Sequence, residues 1–276
     1  MTIEGEKMKI YIAGLGLIGG SFAKAALAAG HEVSGWDLDP AVRESAKAAG
    51  VAVSETPDAP VVIAALPPKA VVPWVESHAA GFASGTVVMD VCGVKRTVCE
   101  SLRRFAFSDW NFIGGHPMAG RELGGWERSD ADLFKGASMI LTPYPSCGRK
   151  PLDMLEAFFA GLGFARTVIT TPEHHDEMIA LTSQLAHVVS SAYVRDPLAQ
   201  DHRGYSAGSF QDMTRVSTVD PDVWTSLFLS NADPLSEVLG RLIARLGEYK
   251  AAIDSRDADA LRAMLAAGRD AKMSCG

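Results

Sequence analysis

The sequence predicts an α/β fold, in which an N-terminal, doubly wound, mainly parallel sheet is followed by an all-helical C-terminal domain. Up to about residue 171, short apolar and β-branched runs alternate with helical segments, which is typical of a parallel sheet covered by helices. Beyond Thr171-Pro172 the β-branched runs stop, and apolar residues recur at helical spacing. We therefore predict two domains, residues 1–171 and 172–276.

Composition and charge exclude several classes of protein. The chain has 276 residues, of which 47% are hydrophobic and 21% charged, as is ordinary for a globular protein. A net charge of -7 gives no basic surface for nucleic acid or anionic membranes. No run approaches the ~18–20 apolar residues of a membrane span, and the polar N-terminus is not typical of a signal peptide. Four cysteines without CxxC spacing predict reduced thiols and no metal site. These features predict a cytoplasmic protein.

A glycine-rich run follows the first predicted strand. Residues 9–13 lead directly into GLGLIGGS, residues 14–21, and an alanine-rich helix comes next. In this pattern Gly14 permits the tight turn, Gly16 lets the backbone approach a pyrophosphate, and Gly19 lets the helix pack on the strand. The phosphates then lie at the positive N-terminus of the helix. The residues predicted to hold a dinucleotide here are Gly14, Gly16, Leu17, Ile18 and Gly19.

The second strand, residues 32–36, ends at Asp37. A carboxylate at this position hydrogen-bonds the ribose hydroxyls of NAD and repels the 2′-phosphate of NADP. The alternative is a turn or cap residue, because Asp39-Pro40 begins the next helix. The order strand, glycine loop, helix, strand and Asp predicts a Rossmann domain that binds NAD.

Later strands are predicted at residues 61–66, 86–91, 111–113, 138–142 and 167–170, with a helix over 152–162. Ligands bind such sheets at the carboxyl ends of the strands. The loops at Pro67-Pro68 and Cys92-Gly93 leave these ends, together with the glycine loop. We therefore expect Leu66, Pro67 and Gly93 to line the cofactor cleft.

The strand at 111–113 leads into GGHPMAGRE, residues 114–122, which carries a single imidazole, His116. The histidine lies between two glycines and a proline, downstream of the nucleotide motif, where an α/β enzyme brings substrate to its cofactor. Two interpretations stay open, a catalytic histidine and an incidental histidine in a Gly/Pro-rich turn.

The C-terminal domain is predicted to be helical throughout. Met178, Leu181, Leu185, Val188 and Ala192 recur at helical spacing and predict a core stripe. Asp-Pro pairs at 220–221 and 233–234 are typical of helix starts, and a last helix is predicted over 258–273. The apolar surface is large for about 100 residues, so we expect a homodimer through this domain.

Polar residues of the helical domain allow two interpretations. Gln184 and His187 fit either a binding site or hydrogen bonds within a helix bundle. Arg215 fits an ion pair with a nearby aspartate or a bidentate contact with a substrate carboxylate. The run EHHD, residues 173–176, resembles a metal motif, but we interpret it as a solvated helix start whose acids favour the helix dipole.

The complete set of segments resembles the prephenate and arogenate dehydrogenase family of tyrosine biosynthesis. The motifs occur in order over residues 9–231, and they are GLGLIGGS, DVCGVK, GGHPMAGRE, EHHDEMIALTSQLAH and FQDMTRVSTVDPDVW. GGHPMAGRE and the DMTR…DP…W run are far more specific than the glycine signature. The resemblance implies a Rossmann domain followed by a helical dimerisation domain, which agrees with the pattern of elements.

The resemblance also implies roles for individual residues. His116 matches the catalytic histidine that takes the proton of the ring hydroxyl as hydride leaves for NAD, and Arg215 matches an arginine that binds a substrate carboxylate. Further residues matched to the substrate site are Glu122, Gln184, His187 and Trp224. The chain departs from the family pattern at Gly93, where serine is common, at SQLAH instead of SHLPH, and at Val219 before Asp220-Pro221.

The expected reaction is NAD-dependent oxidative decarboxylation of prephenate to 4-hydroxyphenylpyruvate. An arogenate or dual-specificity cyclohexadienyl dehydrogenase is the alternative, and Glu122 could supply the carboxylate that an arogenate ammonium needs. A hydroxyacid dehydrogenase shares the architecture but usually relies on a lysine in its helical region, and residues 173–229 contain none. A non-enzymatic nucleotide-binding dimer would have no need of His116 and Arg215 together.

Overall fold

The structure is a computed structural model that describes residues 7–121 and 124–275. It divides into two compact units, which we call the sheet unit and the helical unit. The sheet unit comprises the described residues up to Ile179 together with Thr218–Ser230, and the helical unit comprises Ala180–Ser217 and the described residues from Asn231 onward. The domain boundary after residue 171 stays a prediction.

The sheet unit is built on one mainly parallel sheet, as the sequence predicts. Its order is β3-β2-β1-β4-β5-β6-β7-β8. Every neighbouring pair is parallel except β6 and β7, which are antiparallel. The strands are β1 (Lys9–Ala13), β2 (Glu32–Trp36), β3 (Ala52–Val53), β4 (Val61–Ala64), β5 (Val87–Asp90), β6 (Asn111–Pro117), β7 (Ser138–Pro143) and β8 (Arg166–Ile169).

Helices cover the sheet and form the helical unit. In the sheet unit they are α1 (Leu17–Ala28), α2 (Pro40–Ala48), α3 (Pro68–His78), α4 (Arg96–Ser101), α5 (Arg149–Gly161), α6 (Pro172–Ile179) and α9 (Pro221–Ser230). In the helical unit they are α7 (Leu185–Val194), α8 (Gly208–Thr214), α10 (Ala232–Ser255) and α11 (Ala258–Ser274), preceded by a π-helical turn at Ala180–Gln184.

Period-two alternation in β1 distributes its side chains between two apolar layers. Ile10 and Ile12 pack in one buried cluster with Phe22 of α1. Tyr11 and Ala13 point to the opposite cluster. The sheet therefore has a hydrophobic core on each face, as expected for a doubly wound fold.

Strand β6 is longer than the sequence predicts. Its pairing with β5 ends at Ile113, but its antiparallel pairing with β7 continues, with His116 opposite Ile140 and Pro117 opposite Met139. The His116 segment is therefore extended strand and not a turn. Pairing with β7 fixes the backbone of His116, and a fixed backbone suits a side chain that needs a defined orientation.

Asp-Pro pairs predict three helix starts, and the structure confirms two of them and contradicts the third. Asp39 accepts the N–H of Ala41 at 2.8 Å and caps α2. Asp220 likewise accepts the N–H groups at the start of α9. In the pair Asp233-Pro234 the aspartate is not a cap, because α10 already begins at Ala232 after Asn231. Pro234 is tolerated inside that first turn since its missing N–H would have had no helical partner.

The predicted core stripe of the helical region is wrong for most of its members. Met178 and Leu181 are 44% and 51% exposed, and only Leu185 is buried. The buried face lies beside this stripe and includes the polar side chains of Asp176 and Gln184. The face that turns inward therefore combines polar side chains with apolar ones, among them Ile179 and Ala180.

A buried ion pair closes the carboxyl end of β5. Lys95 and Asp90 are both fully buried, and the Lys95 ammonium contacts the Asp90 carboxylate. Burial opposes the charged ammonium, but the surrounding Asp90, Cys92 and Cys99 together outweigh it, and the pKa of Lys95 is raised. Lys95 Nζ also donates to the carbonyl of Gly115 at 2.6 Å, and Asp90 accepts the Gly115 N–H at 3.2 Å. The pair therefore holds both polar backbone groups of the residue before His116.

We expect Lys95→Met to lower the free energy of unfolding by about 3–5 kcal/mol, because it leaves the Asp90 carboxylate buried without a counter-charge. Equilibrium urea unfolding measures the loss. Lys135→Met is the matched control, since the Lys135–Asp132 pair is well exposed at 66% and 64% and should contribute about 1 kcal/mol or less. Equal losses in the two variants would contradict the structural role of the buried pair.

Candidate active site

The glycine loop presents an open helix N-terminus. Gly14 has a φ of +83°, and a side chain there would place its Cβ 2.4 Å from the carbonyl oxygen of Ala65, so only glycine fits. Gly16 precedes α1 without a side-chain cap, and a Cβ on it would meet no atom within 4 Å. The first N–H groups of α1, from Leu17, Ile18 and Gly19, have no intrahelical partners and can bind an anion.

Neighbouring loops adjoin the glycine loop at the same edge of the sheet. Leu66 Cδ2 lies 3.0 Å from the position of a Cβ on Gly14, and Pro67 is the residue that precedes α3. Cys92 Sγ lies 3.9 Å from the carbonyl oxygen of Leu66. The loops after β1, β4 and β5 therefore meet, as expected of a cleft at the carboxyl ends of parallel strands.

Asp37 has a structural contact that the sequence did not reveal. One carboxylate oxygen accepts the N–H of Leu15 at 2.8 Å, and the other accepts the N–H of Asp39 at 3.0 Å. The carboxylate thus ties the end of β2 to the glycine loop. Each oxygen has a second lone pair, so Asp37 keeps the capacity to accept ribose hydroxyls.

His116 stands where β6 extends beyond β5, and its ring contacts a second histidine. His116 Nδ1 lies 2.8 Å from Nε2 of His175, and His175 Nδ1 lies 2.7 Å from the Asp176 carboxylate. His175 and Asp176 are 1% and 0% exposed. The interpretation of residues 173–176 as a solvated helix start is therefore wrong for these two side chains, whereas His174 is exposed.

Asp176 anchors this chain of contacts to the loop after β5. Its two carboxylate oxygens accept the backbone N–H groups of Lys95 at 2.7 Å and Arg96 at 2.9 Å. The guanidinium of Arg96 lies 3.8 Å away. The start of α6 is thereby fixed to the start of α4, directly behind His116.

The surroundings of His116 disfavour its cationic form. Burial, the neighbouring His175 and the positive charge of Lys95 hold the pKa of His116 well below its usual range. The imidazole is therefore neutral at physiological pH and able to accept a proton.

Gly93 lies beside the other edge of the His116 ring. A Cβ on Gly93 would lie 3.9 Å from His116 Nε2 and 3.7 Å from Leu227 Cδ2 of α9, which is ordinary van der Waals contact. Trp224, on the same helix, packs edge-on against Phe228 with ring centroids 5.5 Å apart. Gly93 thus lies beside the Nε2 edge of His116, and Leu227 adjoins Gly93.

The helical unit contains a cavity of about 480 Å³ that His187 and Arg215 both line. His187 Nδ1 donates to the carbonyl oxygen of Val216 at 2.8 Å, because a carbonyl can only accept. Burial lowers the pKa of His187, the bond to Val216 opposes this, and the positive Arg215 lowers it further. An ion pair between Arg215 and Asp212, one of the interpretations that the sequence leaves open, does not occur among the described residues, although both line the cavity.

Gln184 has a different environment from His187. Its side chain is 2% exposed, and its carbonyl oxygen accepts from the amide of Asn231 at 2.8 Å. This bond ties the π-helical turn to the start of α10. Gln184 is absent from the lining of the 480 Å³ cavity.

The predicted site residues thus fall into two groups. Within the sheet unit the structure brings His116 beside Gly93 and the loops of the cleft, with Trp224 on the helix that supplies Leu227. Within the helical unit it brings Arg215 and His187 together. Glu122 lies outside the described residues.

Sequence reasoning missed the residues behind His116. Asp90 and Lys95 stand in the quoted DVCGVK motif, where a lysine five residues after a buried strand-end aspartate was an available signal. His175 and Asp176 were noticed but placed in solvent. Among residues 7–121 and 124–275, no helix is long and apolar enough to cross a membrane.

Comparisons with known proteins agree with this arrangement. A family model described as prephenate dehydrogenase, nucleotide-binding domain, matches residues 22–178. A second, described as prephenate dehydrogenase, dimerization domain, matches residues 171–267. The chain is 32% identical over 268 residues to a cyclohexadienyl dehydrogenase of Zymomonas mobilis, covering 91% of this chain and 90% of the relative.

Two solved structures share the fold over almost the whole chain. The arogenate dehydrogenase of Synechocystis superposes with a TM-score of 0.85 at 25% identity, covering 98% of this chain and 100% of that one. The prephenate dehydrogenase of A. aeolicus, solved with hydroxyphenyl propionate and NAD+, superposes with a TM-score of 0.85 at 26% identity, covering 98% and 99%. With its nucleotide-binding sheet unit and its helical region matched to the dimerization model, the chain belongs to the prephenate and arogenate dehydrogenase family.

Proposed function

We propose that the protein catalyses the NAD-dependent oxidative decarboxylation of prephenate to 4-hydroxyphenylpyruvate. The observation that carries the proposal is the neutral His116 imidazole at the carboxyl edge of the sheet, beside the loops that form the cofactor cleft. A base at that position can remove a hydroxyl proton while hydride leaves the same carbon. Relatives named prephenate dehydrogenase and cyclohexadienyl dehydrogenase support this reaction class.

The residues of the glycine loop fit a dinucleotide. The open space in front of Gly16 and the N–H groups of Leu17, Ile18 and Gly19 suit a pyrophosphate. Asp37 at the end of β2 suits the ribose hydroxyls of NAD. When bound, NAD supplies a nicotinamide ring that accepts two electrons and a proton as hydride. Leu66, Pro67 and Gly93 border the same edge of the sheet.

His116 acts as the general base. Its Nε2 takes the proton of the ring hydroxyl, the O–H electron pair forms a carbonyl, and hydride departs from that carbon to the cofactor. The ring carboxylate then leaves as carbon dioxide, and the electron pair of its C–C bond makes the ring aromatic. The resulting phenolate oxygen takes the proton back from His116. The products are 4-hydroxyphenylpyruvate, carbon dioxide and reduced cofactor.

Arg215 binds a substrate carboxylate, and His187 lies in the same cavity. A guanidinium offers two parallel N–H donors that match a carboxylate. The Val216 carbonyl fixes the His187 ring through Nδ1, so its neutral form presents Nε2 as an acceptor. Trp224 and Glu122 complete the proposed substrate residues through their motif matches, and Gln184 contributes by holding the π-helical turn.

Arogenate, or both substrates, is the alternative. Arogenate differs from prephenate only in an amino group where prephenate has a keto group, so His116 would perform the same chemistry on it. The relatives named arogenate dehydrogenase and cyclohexadienyl dehydrogenase favour this second candidate.

The test of the proposed function is the initial rate of reduced-cofactor formation with prephenate and with arogenate, each with NAD and with NADP. We expect turnover with prephenate and NAD, and the ratio of the two kcat/KM values gives the substrate preference. A higher kcat/KM for arogenate would replace prephenate as the main substrate. Absence of turnover with both substrates, at saturating NAD, would refute the proposal.

His116→Asn should lower kcat by about 10²–10⁴-fold, because general base catalysis contributes that much. The asparagine amide retains a donor near the position of Nδ1 and loses only the basic Nε2. The Kd for NAD should stay within about twofold, as the control. In the unsubstituted enzyme the lowered pKa of His116 should move the acidic loss of kcat/KM below about pH 6.5, since only the neutral base is active. Unchanged kcat in the variant would remove His116 from the mechanism.

Arg215→Ala should raise the KM for prephenate by about 30-fold or more, because an unpaired buried carboxylate costs about 2–5 kcal/mol. Arg215→Lys is the matched control, since it keeps the charge and loses the bidentate geometry, and its KM should be intermediate. Steady-state kinetics with prephenate as the varied substrate gives both values. A KM unaffected in both variants would show that Arg215 has no contact with substrate.

A further inference from the structure

We propose that His175 and Asp176 are positioning residues that hold His116 in a single tautomer, with the proton on Nδ1 and a bare Nε2. The tautomer follows from the geometry alone, whereas its consequence for turnover rests on the proposed function. The sequence placed both residues in solvent, and the structure places them fully buried behind the His116 ring.

The direction of the hydrogen bond between His175 and Asp176 follows from the other partners of the Asp176 carboxylate. Its carboxylate oxygens accept N–H groups from Lys95 at 2.7 Å and Arg96 at 2.9 Å, and the Arg96 guanidinium lies 3.8 Å away. Two backbone N–H donors and a neighbouring guanidinium stabilise the carboxylate form of Asp176, which can only accept hydrogen bonds. The third close contact, from His175 Nδ1 at 2.7 Å, is therefore donated by the histidine.

The direction of the bond at Asp176 determines the direction of the bond between His175 and His116. A neutral imidazole that carries its proton on Nδ1 has a lone pair on Nε2. His175 Nε2 therefore accepts, and the donor 2.8 Å away is Nδ1 of His116. His116 in turn has its lone pair on Nε2. The backbone N–H groups of Lys95 and Arg96 thus determine, through two side chains, which His116 nitrogen is basic.

Gly93 lies beside the Nε2 edge of the His116 ring. A Cβ on Gly93 would lie 3.9 Å from His116 Nε2 and 4.0 Å from Cε1. A hydroxyl at this position would therefore approach the basic edge of the ring, not the Nδ1 edge. Among the described residues, His175 contacts the Nδ1 edge of the ring, and Gly93 lies beside the Nε2 edge.

Among the described residues, charged and titratable groups lie around the His116 ring on β5, on the loop before α4 and on α6. Lys95 lies behind it on the loop before α4, paired with Asp90 of β5. His175 and Asp176 approach from α6. The ammonium of Lys95 is bound to Asp90 and to the Gly115 carbonyl, so it does not compete for His116 Nδ1.

The direct test is NMR of the protein with ¹⁵N-labelled histidine rings, at a pH where His116 is neutral. His116 resonances are assigned by their loss in His116→Asn. We expect Nδ1 of His116 to carry the proton and Nε2 to show the shift of an unprotonated ring nitrogen. The reverse pattern, or averaging of the two tautomers, overturns the proposal. This readout needs no substrate, so it stands or fails independently of the proposed reaction.

The kinetic test compares three variants on one helix. His175→Phe removes the acceptor for His116 and should lower kcat by about 10²-fold or more, because general base catalysis contributes about 10²–10⁴-fold. His175→Gln keeps an amide oxygen near the position of Nε2 and should recover much of that loss. His174→Phe is the matched control, since that side chain is 62% exposed, and it should leave kcat unchanged.

The KM for prephenate and the Kd for NAD should change little in any of these variants, because His175 is buried at 1% exposure and His174 lies on the surface. A His175→Phe enzyme that folds, binds NAD and keeps its kcat overturns the positioning role. If His175→Phe does not fold, the positioning role is tested by the kcat of His175→Gln and by the ¹⁵N shifts of His116. A Gln variant in which His116 loses its Nδ1 proton while kcat is unchanged also overturns the proposal.

Discussion

The buried Asp90–Lys95 pair is the interaction on which the rest of the site depends. Its two side chains are fully buried at the carboxyl end of β5, and between them they bind the N–H and the carbonyl of Gly115. Gly115 itself has no room for a side chain, because a Cβ would lie 2.6 Å from the carbonyl oxygen of Asp90. The backbone that carries His116 is therefore fixed by charge on one side and by steric exclusion on the other. Buried ion pairs are weak evidence for stability, but breaking one is costly, so this segment has little freedom to move.

A second constraint comes from the antiparallel neighbour. β5 ends before His116, so a purely parallel sheet would leave that residue without a partner on either side. Pairing with β7 continues the ladder through Pro117 and keeps His116 in extended backbone. Fixing the backbone of His116 does not by itself fix the orientation of its imidazole ring, however. The ladder places the Cα of His116, whereas the direction of its side chain depends on α6 and its two buried polar residues.

The sequence predicts features whose cause is local. The glycine loop is one, since the positive φ of Gly14 favours glycine at that position. The caps at Asp39 and Asp220 are another, because the bonding partners lie two or three residues away. The roles of His175 and Asp176 depend on partners about 60 to 80 positions distant, and no local pattern encodes them. The hydrophobic stripe through Met178 and Leu181 predicted the wrong buried face for the same reason.

The helical residues show a similar limit. Gln184 stands where the resemblance suggested a substrate contact, yet it bonds to Asn231 and lies outside the cavity of Arg215 and His187. The π-helical turn at Ala180–Gln184 inserts an extra residue into the helical ladder before α7. Spacing counted at 3.6 residues per turn therefore fails across this turn. Motif matching identified the polar residues of the helical region, but only their three-dimensional contacts separate the one that supports structure from those that line a cavity.

The geometry around His116 assigns its two ring nitrogens to different tasks. Nδ1 is used for orientation, through a chain that ends on two backbone N–H groups and cannot reverse without protonating a buried carboxylate. Nε2 lies beside Gly93, so no side-chain hydroxyl at position 93 occupies it in the proposed mechanism. The absence of a serine at Gly93 thus removes a contact from the basic edge and leaves the orienting edge unaffected. In the proposed mechanism the base is oriented through Nδ1, so a glycine at position 93 is compatible with the role proposed for His116.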